Sequence, residues 1–577
     1  MLYFGLAMPN QTGAERIEPK HRRWWLLLAM VFVVLAIWLP RGLALDRFVT
    51  VDEELWLSRA ANFYFALGQR DYQNTYQSEH PGVTTMWAGT LGMLAHYPQY
   101  RGSGMGQVNH LAFHRYLEGQ SKALPLALLA SSRAFMVLGH TLILALAFYY
   151  AVRLIGLTPA FIALLLIAFD PFHLALTRLL HLDGLLANLM LLSLLAFILF
   201  LGCRRPLDLL VSAGAGGLSV ITKTPGFLMV PVICLLSGYE LWRARSSQED
   251  GKPVQLVWKS VWPVIAWLVV GSLVIYLFWP ALWRDPFQPL FRIFQSAEAY
   301  AVGGHDSAVF FDGFVARDGI LGWNFFYFYP LTYLWRSTPV VLFGLSIAIF
   351  GFLIKKSPFD QTSVRSTVIG LSLFALVFTI AMTFGSKKFD RYLVPIYAPL
   401  DILAALGWVC LASWSKEKRV RFPVLYISTS LMIAVVGFQI VSAFRTFPYY
   451  LSYYNPLMGG PRKAPQVMQI GWGEGLDQAA RYLNQKPNPG KLKVATWYPL
   501  GPFSYFFQGH SIQFPDEPNL TEQQWSDFLD NDYAVVYIHQ GQRGLYPTEL
   551  RDYLAGHLPE HTVWINGIEY AQIYALH

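Results

Sequence analysis

Long apolar runs recur along the chain, separated by polar and basic connections. A helix needs about 20 predominantly apolar residues to cross the hydrocarbon core of a bilayer. By that measure the sequence predicts eleven spans, over residues 24–40, 131–152, 158–177, 184–202, 208–222, 226–242, 260–279, 337–354, 366–385, 392–412 and 422–443. The third contains Asp170 and Pro171, and the fifth is short and rich in glycine. The pattern therefore predicts an all-α polytopic membrane protein with about eleven transmembrane helices.

Composition agrees with this class. Of the 577 residues, 54% are hydrophobic and 14% are charged, whereas soluble domains carry roughly 25% charged residues. The net charge of +8 comes from basic residues at the ends of apolar runs, so no nucleic-acid partner is expected. Cys203, Cys234 and Cys410 lie in or beside apolar runs, a spacing that predicts neither a metal cluster nor a disulfide.

The basic connections predict the orientation. With eleven spans, six basic segments fall on one side: the N-terminus, Arg153, Arg204-Arg205, the segment 243–259, the segment 355–365 and the segment 416–421. The positive-inside rule makes that side cytoplasmic. The first span follows Lys20 to Arg23 without a small-residue cleavage site, so it is expected to be retained. We expect a multi-pass protein of the cytoplasmic (inner) membrane with its C-terminus outside.

The outer side then holds the long loop 41–130, the loop 280–336 and everything beyond residue 444. Residues 53–67 have apolar positions at near-helical spacing, which predicts an amphipathic helix lying on the membrane. Loop 280–336 is rich in Trp, Tyr and Phe. Its aromatic rings suit either the membrane interface or a platform for a sugar or lipid chain.

The composition changes after residue 445. Residues 1–445 are expected to form the membrane module, and residues 446–577 a small extracytoplasmic α/β domain. The pattern predicts helices over 474–485, 521–529 and 548–554, and strands over 491–498, 533–539 and 562–574. About 130 residues can bury a hydrophobic core.

Three groups of ionisable residues fall where predicted spans meet the outer side, so they can converge on one cavity. They are Asp52-Glu53-Glu54, then Arg178, His181 and Asp183, and then Lys223 with Lys387, Lys388, Arg391 and Tyr392. Ionisable groups at this depth are functional candidates by default. A carboxylate suits a general base, and Lys and Arg suit a phosphate. Together they match the needs of glycosyl transfer from a polyprenyl-phosphate sugar, in which cations stabilise the departing phosphate.

Other interpretations of these residues remain open. Arg178 and Asp183 could pair with each other, and Lys387 and Lys388 could be headgroup anchors. His181 could be a hydrogen-bonded interfacial histidine. The turn at 76–82 adds Glu79 and His80, which could bind substrate, or a divalent metal together with a third ligand such as His305 or Asp306. No metal or other cofactor is certain from the sequence.

Five short segments of the sequence, taken in order, resemble the motifs of a known family. They are Asp52-Glu53, the turn 79–82, the segment 178–183, Thr222-Lys223-Thr224-Pro225 and the segment 388–395. They resemble the dolichyl-phosphate-mannose protein mannosyltransferase-like enzymes of glycosyltransferase family 39, which are related to the aminoarabinose lipid A transferases. The resemblance covers residues 24–445 and implies the GT-C fold, with eleven or more spans and a catalytic Asp in the first outer loop.

By position in that family, Asp52 would be the catalytic base and Glu53 would support it or bind the acceptor. Asp183 would match the acid of the second outer loop, and Lys223 and Arg391 would match phosphate-contacting positions. The tail does not resemble the trefoil domain of eukaryotic members, so the acceptor could be a protein, a lipid or an envelope glycan.

The resulting hypothesis is an inverting glycosyltransferase that moves a sugar from a polyprenyl-phosphate donor to a hydroxyl acceptor at the outer face of the cytoplasmic membrane, with the membrane lipids as further partners. One alternative is a transporter or flippase of lipid-linked sugars, which should carry charges near the midplane in repeated halves. Another is a non-catalytic envelope-assembly subunit, whose function should depend on residues 446–577 rather than on the acids.

Overall fold

The structure is a computed structural model that describes residues 19–246, 253–303, 308–316, 325–417, 423–515 and 519–576. Helices dominate the part before residue 445. They are α1 (Pro19–Gly42), α2 (Glu53–Gly68), α3 (Val83–His96), α4 (Tyr100–Ser103), α5 (His110–Gln120), α6 (Leu124–Ile155), α7 (Leu157–Ala168), α8 (Pro171–Leu176), α9 (Leu182–Cys203), α10 (Pro206–Thr222), α11 (Met229–Ser246), α12 (Pro253–Phe278), α13 (Ala281–Arg284), α14 (Gln288–Gly303), α15 (Phe328–Arg336), α16 (Pro339–Leu353), α17 (Thr362–Phe384), α18 (Tyr397–Glu417) and α19 (Pro423–Phe444).

The prediction of eleven spans is not confirmed. Among the described residues, six helices are long and apolar enough to cross a membrane. The number is seven if α15 and α16, between which the chain bends by 117°, form one span. Shorter apolar helices stand at the remaining predicted spans, over 28–42, 157–168, 206–222 and 428–444. The fold class is confirmed at the coarser level of a helical, multi-pass membrane protein.

The predicted continuous span 158–177 is wrong. Helix α7 ends at Ala168 and α8 begins at Pro171. Asp170 lies between them as the N-cap of α8, and its carboxylate accepts a hydrogen bond from the backbone N–H of His173 at 2.7 Å. A capping carboxylate followed by proline at the first helical position starts a new helix rather than continuing the old one.

Helix α9 forms the centre of the helical bundle. It contacts α6, α10, α17 and α18, and its residues from Leu182 to Phe200 are all buried. Its polar first turn is held inside the protein as well, since Asp183 is 1% exposed.

Earlier in the chain, between α14 and α15, β1 (Val309–Phe311) and β2 (Phe314–Ala316) form a separate hairpin. A five-stranded sheet follows the last long helix. Its strands are β3 (Lys493–Thr496), β4 (His510–Gln513), β5 (Tyr533–Tyr537), β6 (His561–Ile565) and β7 (Ile568–Ala575). The sheet order is β4-β3-β5-β7-β6. β3 pairs in parallel with β4 and β5, and β7 is antiparallel to β5 and β6. The helices here are α20 (Gly460–Lys463), α21 (Leu476–Leu483), α22 (Glu522–Leu529), α23 (Ile538–Arg543) and α24 (Thr548–Gly556).

The small C-terminal α/β region is thus confirmed, with differences in detail. The predicted strand 562–574 is the hairpin of β6 and β7, which turns at Asn566 and Gly567 with φ of 53° and 84°, the left-handed geometry of a tight hairpin turn. Strand β4 was not predicted, and α23 takes residues that the pattern assigned to the end of a strand. The domain boundary after residue 445 remains a prediction, although α19 does end at Phe444.

The C-terminal region contacts the beginning of the first long loop. The backbone N–H of Val51 donates to the carbonyl oxygen of Trp472 at 3.1 Å, and the Tyr450 hydroxyl donates to the carbonyl oxygen of Pro40 at 3.0 Å. Helix α2 covers the predicted helix 53–67 and begins directly after this contact, but most of its residues are buried in the protein, so its place on the membrane surface remains a prediction. The tail therefore covers the place where the acidic segment starts.

Candidate active site

Asp52 is the N-cap residue of α2 and faces two basic side chains. One of its carboxylate oxygens lies 3.3 Å from Nε2 of His181 and 3.5 Å from a terminal guanidinium nitrogen of Arg391. The side chain of Asp52 remains 30% exposed. The carboxylate therefore lies beside the Arg391 guanidinium and the His181 imidazole and is still open to a ligand.

Asp183 links a second set of contacts to the first. Its carboxylate accepts from Nζ of Lys223 at 2.5 Å, and it lies 3.4 Å from Nδ1 of His181 and 3.6 Å from Nε of Arg391. Histidine and arginine thus bridge the two aspartates. We call Asp52, His181, Asp183, Lys223 and Arg391 the Asp52 cluster.

The cluster is assembled from the ends of helices. His181 is the N-cap of α9 and Lys223 is the C-cap of α10, and both have extended backbones. Since α9 and α10 are consecutive and packed together, the start of one lies beside the end of the other. Arg391 lies in a 3₁₀ segment, Asp390–Ile396, directly before α18. Helix ends expose backbone groups and turn the chain, so they can direct long polar side chains to one point.

Aromatic rings enclose the cations. Nζ of Lys223 lies 4.0 Å from the ring centroid of Tyr392. The Arg391 guanidinium lies 4.1 Å from the ring of Phe389 and 4.4 Å from that of Trp472. Trp472 also meets His181 edge-on at 4.9 Å. These cation–π contacts hold the charged groups in place without neutralising them.

Trp472 was not singled out from the sequence as a site residue. Its segment, Trp472-Gly473-Glu474-Gly475, is glycine-rich but too short for a nucleotide fingerprint. Gly473 has φ of 119°, and a Cβ there would lie 2.2 Å from the carbonyl oxygen of Val49. The sequence signal that could have identified this segment was its two glycines, Gly473 and Gly475. Gly473 permits the backbone to approach Val49 closely, just before Asp52.

The pKa of Asp52 is held below its usual range. Burial acts to raise the pKa, but the hydrogen bond with His181 and the positive charges of Arg391 and Lys223 outweigh it. For Lys223, burial lowers the pKa, while the Asp183 carboxylate acts in the opposite direction. The Asp52 carboxylate is therefore ionised at neutral pH.

Glu53 does not line the site. Its carboxylate is fully buried and forms an ion pair with Arg133. It also accepts hydrogen bonds from the backbone N–H groups of Thr50 and Leu180, each at 2.9 Å. Glu53 therefore connects the segment before α2 to α6 and to the second outer turn, which positions Asp52 and His181.

Arg178 is likewise directed away from the Asp52 cluster. Its guanidinium donates to the backbone carbonyls of Leu43 and Ala44, the latter at 2.7 Å, and lies 5.3 Å from the Tyr450 ring. The alternative that Arg178 pairs with Asp183 is not found, because Asp183 is occupied by Lys223. Arg178 instead fastens the turn after α1.

Lys388 is buried and does not have the position of a headgroup anchor. Its ammonium donates to the carbonyl oxygens of Thr383 and Gly385, the latter at 2.6 Å. Burial lowers its pKa to about 8. It lines the same cavity as Asp52 and Arg391, so its charge contributes to the field there.

Glu79, His80 and Lys387 lie at the edge of the site. Glu79 is exposed, and His80 and Lys387 are partly buried. Burial lowers the pKa of His80 to about 3, and the charges of Lys223 and Lys387 act in the same direction. The turn is attached to the end of α10, because the N–H of Gly82 donates to the carbonyl oxygen of Thr222 at 3.1 Å.

A metal site is not assembled in the described part of the chain. No group of three or more His, Cys, Asp or Glu side chains there could hold a metal ion. The suggested third ligands, His305 and Asp306, lie outside the described residues. The low pKa of His80 leaves its imidazole neutral, which is the form that binds metals.

A cavity of about 200 Å³ opens between the membrane module and the C-terminal region. Asp52, Lys388 and Arg391 line one side of it, and Trp472, Tyr498 and His539 line the other. Aromatic rings together with a few polar groups are typical of small-ligand sites.

The C-terminal wall of the cavity contains a chain of hydrogen bonds. The N–H of Phe310 donates to the side-chain oxygen of Gln469 at 2.9 Å, which directs the amide nitrogen of Gln469 to Nε2 of His539, also at 2.9 Å. Nδ1 of His539 lies 3.1 Å from the Tyr498 hydroxyl and 3.4 Å from a terminal nitrogen of Arg543. His539 therefore connects Gln469 to Tyr498 along this wall of the cavity.

No protein-family model matches the chain, and neither does any curated protein. Similar solved structures include ArnT from Cupriavidus metallidurans bound to undecaprenyl phosphate, at 13% identity and a TM-score of 0.46, covering 95% of this chain and 98% of that one. The archaeal oligosaccharyltransferase AglB from Archaeoglobus fulgidus, in complex with an inhibitory peptide and a dolichol-phosphate, has 11% identity and a TM-score of 0.48, over 90% and 70% of the two chains.

A third similar structure is the S. cerevisiae protein O-mannosyltransferase Pmt1-Pmt2 complex bound to the sugar donor. It has 17% identity and a TM-score of 0.35, over 47% of this chain and 34% of that one. Because the likenesses are distant, the function is inferred from the site's own residues.

Proposed function

We propose that the protein is a membrane glycosyltransferase that moves a sugar from a polyprenyl-phosphate donor to a hydroxyl acceptor. The observation that carries the proposal is the position of Arg391, which reaches both Asp52 and Asp183 while Asp183 holds Lys223. A carboxylate base and a pair of cations thus lie within one site that opens into a cavity. This is the set of groups that the reaction requires.

Lys223 and Arg391 are the proposed phosphate ligands. The planar guanidinium of Arg391 can bind two phosphate oxygens, and Lys223 adds a compact positive charge. As the bond between the sugar and the phosphate breaks, its electron pair remains on the phosphate oxygen. Cations already in place stabilise that charge without reorganising.

Asp52 is the proposed base. The acceptor oxygen attacks the anomeric carbon on the face opposite the phosphate, and its proton passes to Asp52, which gives inversion. In the ligand-free site Asp52 is a weak base, because His181 and Arg391 hold its pKa low. A bound phosphate would draw Arg391 and Lys223 toward itself, which raises the pKa of Asp52 and makes it a better base.

The proposal also includes the setting of the reaction. From the charge pattern of the sequence we propose that the Asp52 cluster faces the outer side of the cytoplasmic membrane, where it would meet a lipid-linked sugar and an envelope acceptor. The acceptor is a hydroxyl of a protein, a lipid or an envelope glycan. Glu53 and Arg178 act as positioning residues, and Lys388 adds positive charge near the phosphate.

The test compares envelope glycans, by mass spectrometry, from cells that lack the protein and from cells that produce wild type, Asp52→Asn or Asp71→Asn. Asp71 is exposed and its carboxylate contacts Asn74, so Asp71→Asn is the matched control. Removal of a general base costs about 10²–10⁴-fold in rate. We expect the product missing from the deletion strain to be missing with Asp52→Asn and present with Asp71→Asn.

Phosphate binding is tested separately with undecaprenyl phosphate on the purified full-length protein. Lys223→Gln should weaken binding by about tenfold or more, since a charge-assisted contact contributes about 1.5–3 kcal/mol. Normal glycan product from Asp52→Asn, in amounts of folded protein equal to wild type, would refute the assignment of the base.

A further inference from the structure

A second cavity lies among the helices, well away from the Asp52 cluster. It measures about 310 Å³ and is bordered by the last turns of α6, α9 and α11 and the first turn of α17. Arg153 on α6 and Arg243 on α11 line it. We call it the arginine groove.

The arginine groove and the Asp52 cluster lie at opposite ends of the same helix. Helix α9 begins at Leu182, beside Asp183 of the cluster, and ends at Cys203, which lines the groove. A helix of this length, 22 residues, spans about 33 Å at 1.5 Å per residue. That is about the thickness of the hydrocarbon core, so the groove lies at the other membrane surface, which the charge pattern predicts to face the cytoplasm.

The polar end of the groove is positively charged. A terminal nitrogen of Arg243 lies 3.5 Å from the hydroxyl of Ser366, and the other lies 2.8 Å from the carboxylate of Glu240. Arg153 donates to the hydroxyl of Tyr149 at 3.2 Å. Two guanidinium groups against one carboxylate leave a net positive charge, and the hydroxyls in the first turn of α17 are further possible donors.

The rest of the groove is apolar. Leu154, Ile198, Leu199 and Leu236 form its wall, each no more than 6% exposed. Gly202 lies at the exposed side, where a Cβ would meet nothing within 4 Å. A cationic end at the membrane surface continuous with an apolar wall between helices matches an amphiphile with an anionic head, rather than a free anion.

We infer that the arginine groove binds an anionic phospholipid of the leaflet opposite the Asp52 cluster. The lipid phosphate contacts Arg153 and Arg243, and an acyl chain lies along the wall formed by α6, α9 and α11. Basic pockets between transmembrane helices on the cytoplasmic side are a recurrent mode of anionic-lipid recognition. This site does not depend on the proposed glycosyl transfer, because none of its residues belongs to the Asp52 cluster.

The test measures binding of phosphatidylglycerol and of phosphatidylcholine to the detergent-solubilised full chain by native mass spectrometry. Each arginine near the surface contributes about 1 kcal/mol, so the double variant Arg153→Gln/Arg243→Gln should bind phosphatidylglycerol about thirtyfold more weakly. The matched control is Arg204→Gln/Arg245→Gln. It removes the same charge from the same end, at residues that do not line the groove.

A second variant keeps both arginines. Gly202→Leu places a side chain in the groove and should weaken phosphatidylglycerol binding while leaving the charge unchanged. We expect wild type to prefer phosphatidylglycerol over phosphatidylcholine, and the control to behave as wild type. Equal binding of the two lipids, or an equal loss in the control, would mean general surface attraction and would overturn the inference. Undiminished binding by Gly202→Leu would overturn the assigned place of the lipid.

Discussion

The guanidinium of Arg391 lies 4.4 Å from the ring centroid of Trp472, and the backbone of Trp472 accepts a hydrogen bond from the residue before Asp52. One residue of the C-terminal region therefore touches the proposed phosphate ligand and positions the proposed base. The C-terminal region is part of the site rather than an appendage to the membrane module. Its contribution can be measured one side chain at a time.

Trp472→Ala should reduce glycosyl transfer by about tenfold. The change removes the cation–π contact with Arg391, which contributes about 1–2 kcal/mol when partly desolvated, and the edge contact with His181. The measurement is the amount of envelope product at matched protein level. Trp564→Ala is the control, because Trp564 lies on β6 and is 58% exposed. Equal products from the two variants would contradict a role for Trp472.

Tyr498→Phe should reduce transfer by about tenfold and leave the thermal unfolding midpoint close to that of wild type. Tyr498 lines the cavity and its hydroxyl contacts His539, and a hydrogen bond contributes about 0.5–1.5 kcal/mol. Tyr498 also holds a left-handed backbone conformation, with φ of 57°, which is uncommon for a bulky residue and is often kept at functional sites.

The matched control for this change is Tyr546→Phe. The Tyr546 hydroxyl donates to the carbonyl oxygen of Tyr537 at 3.0 Å and does not line the main cavity. That variant should lose some stability and retain transfer. If Tyr546→Phe lowered transfer as much as Tyr498→Phe, the effect would belong to the fold of the sheet and not to the cavity.

Glu53→Gln and Glu54→Gln should have different effects although the two residues are adjacent. Glu53→Gln leaves Arg133 buried without its carboxylate, and breaking a buried ion pair costs about 3–5 kcal/mol of unfolding free energy. Burial raises the pKa of Glu54 to about 8, so at pH 7 its carboxyl is already neutral and an amide replaces it at little cost. Unfolding temperatures of the purified variants measure the difference, and equal values would contradict it.

Glu54 also predicts a pH dependence. Its pKa is raised in the folded protein above the ordinary value of about 4.3, so the folded state holds a proton that the unfolded state releases. The resulting stability is fully present below about pH 4 and is lost as the pH rises toward 8. Wild type should lose stability relative to Glu54→Gln between pH 5 and pH 8.5 in thermal unfolding. A constant difference over that range would show that Glu54 does not titrate there.

Several features followed from the sequence because they depend on local pattern. Apolar runs of sufficient length identify helices wherever they lie, and α9 and α12 appear as predicted. The helix that begins at Glu53, the capped helix α22 and strand β5 also follow from spacing and turn residues. Where the prediction was wrong, a local signal competed: Asp170 and Pro171 broke an apolar run, and Asn566-Gly567 turned one predicted strand into two.

The candidate residues were also visible in the sequence, since ionisable groups beside apolar runs are few. Only the tertiary structure shows which of them share one site. Asp52 contacts Arg391 and His181. Glu53 instead forms a buried ion pair with Arg133, and Arg178 donates to backbone carbonyls. Asp52 and Glu53 are adjacent carboxylates that the sequence cannot distinguish by chemistry. The start of α2 directs them differently, so Asp52 faces the cavity and Glu53 lies in a buried ion pair.

The sequence by itself determined that the chain is a helical membrane protein with acids and bases at the ends of its spans, because bilayer thickness and the cost of burying charge act on short segments. Only the tertiary structure decided that Trp472 and Tyr498 complete the site and that the arginines of α6 and α11 share a groove. Such meetings depend on how distant segments pack, and the packing of distant segments leaves no periodic trace in the chain.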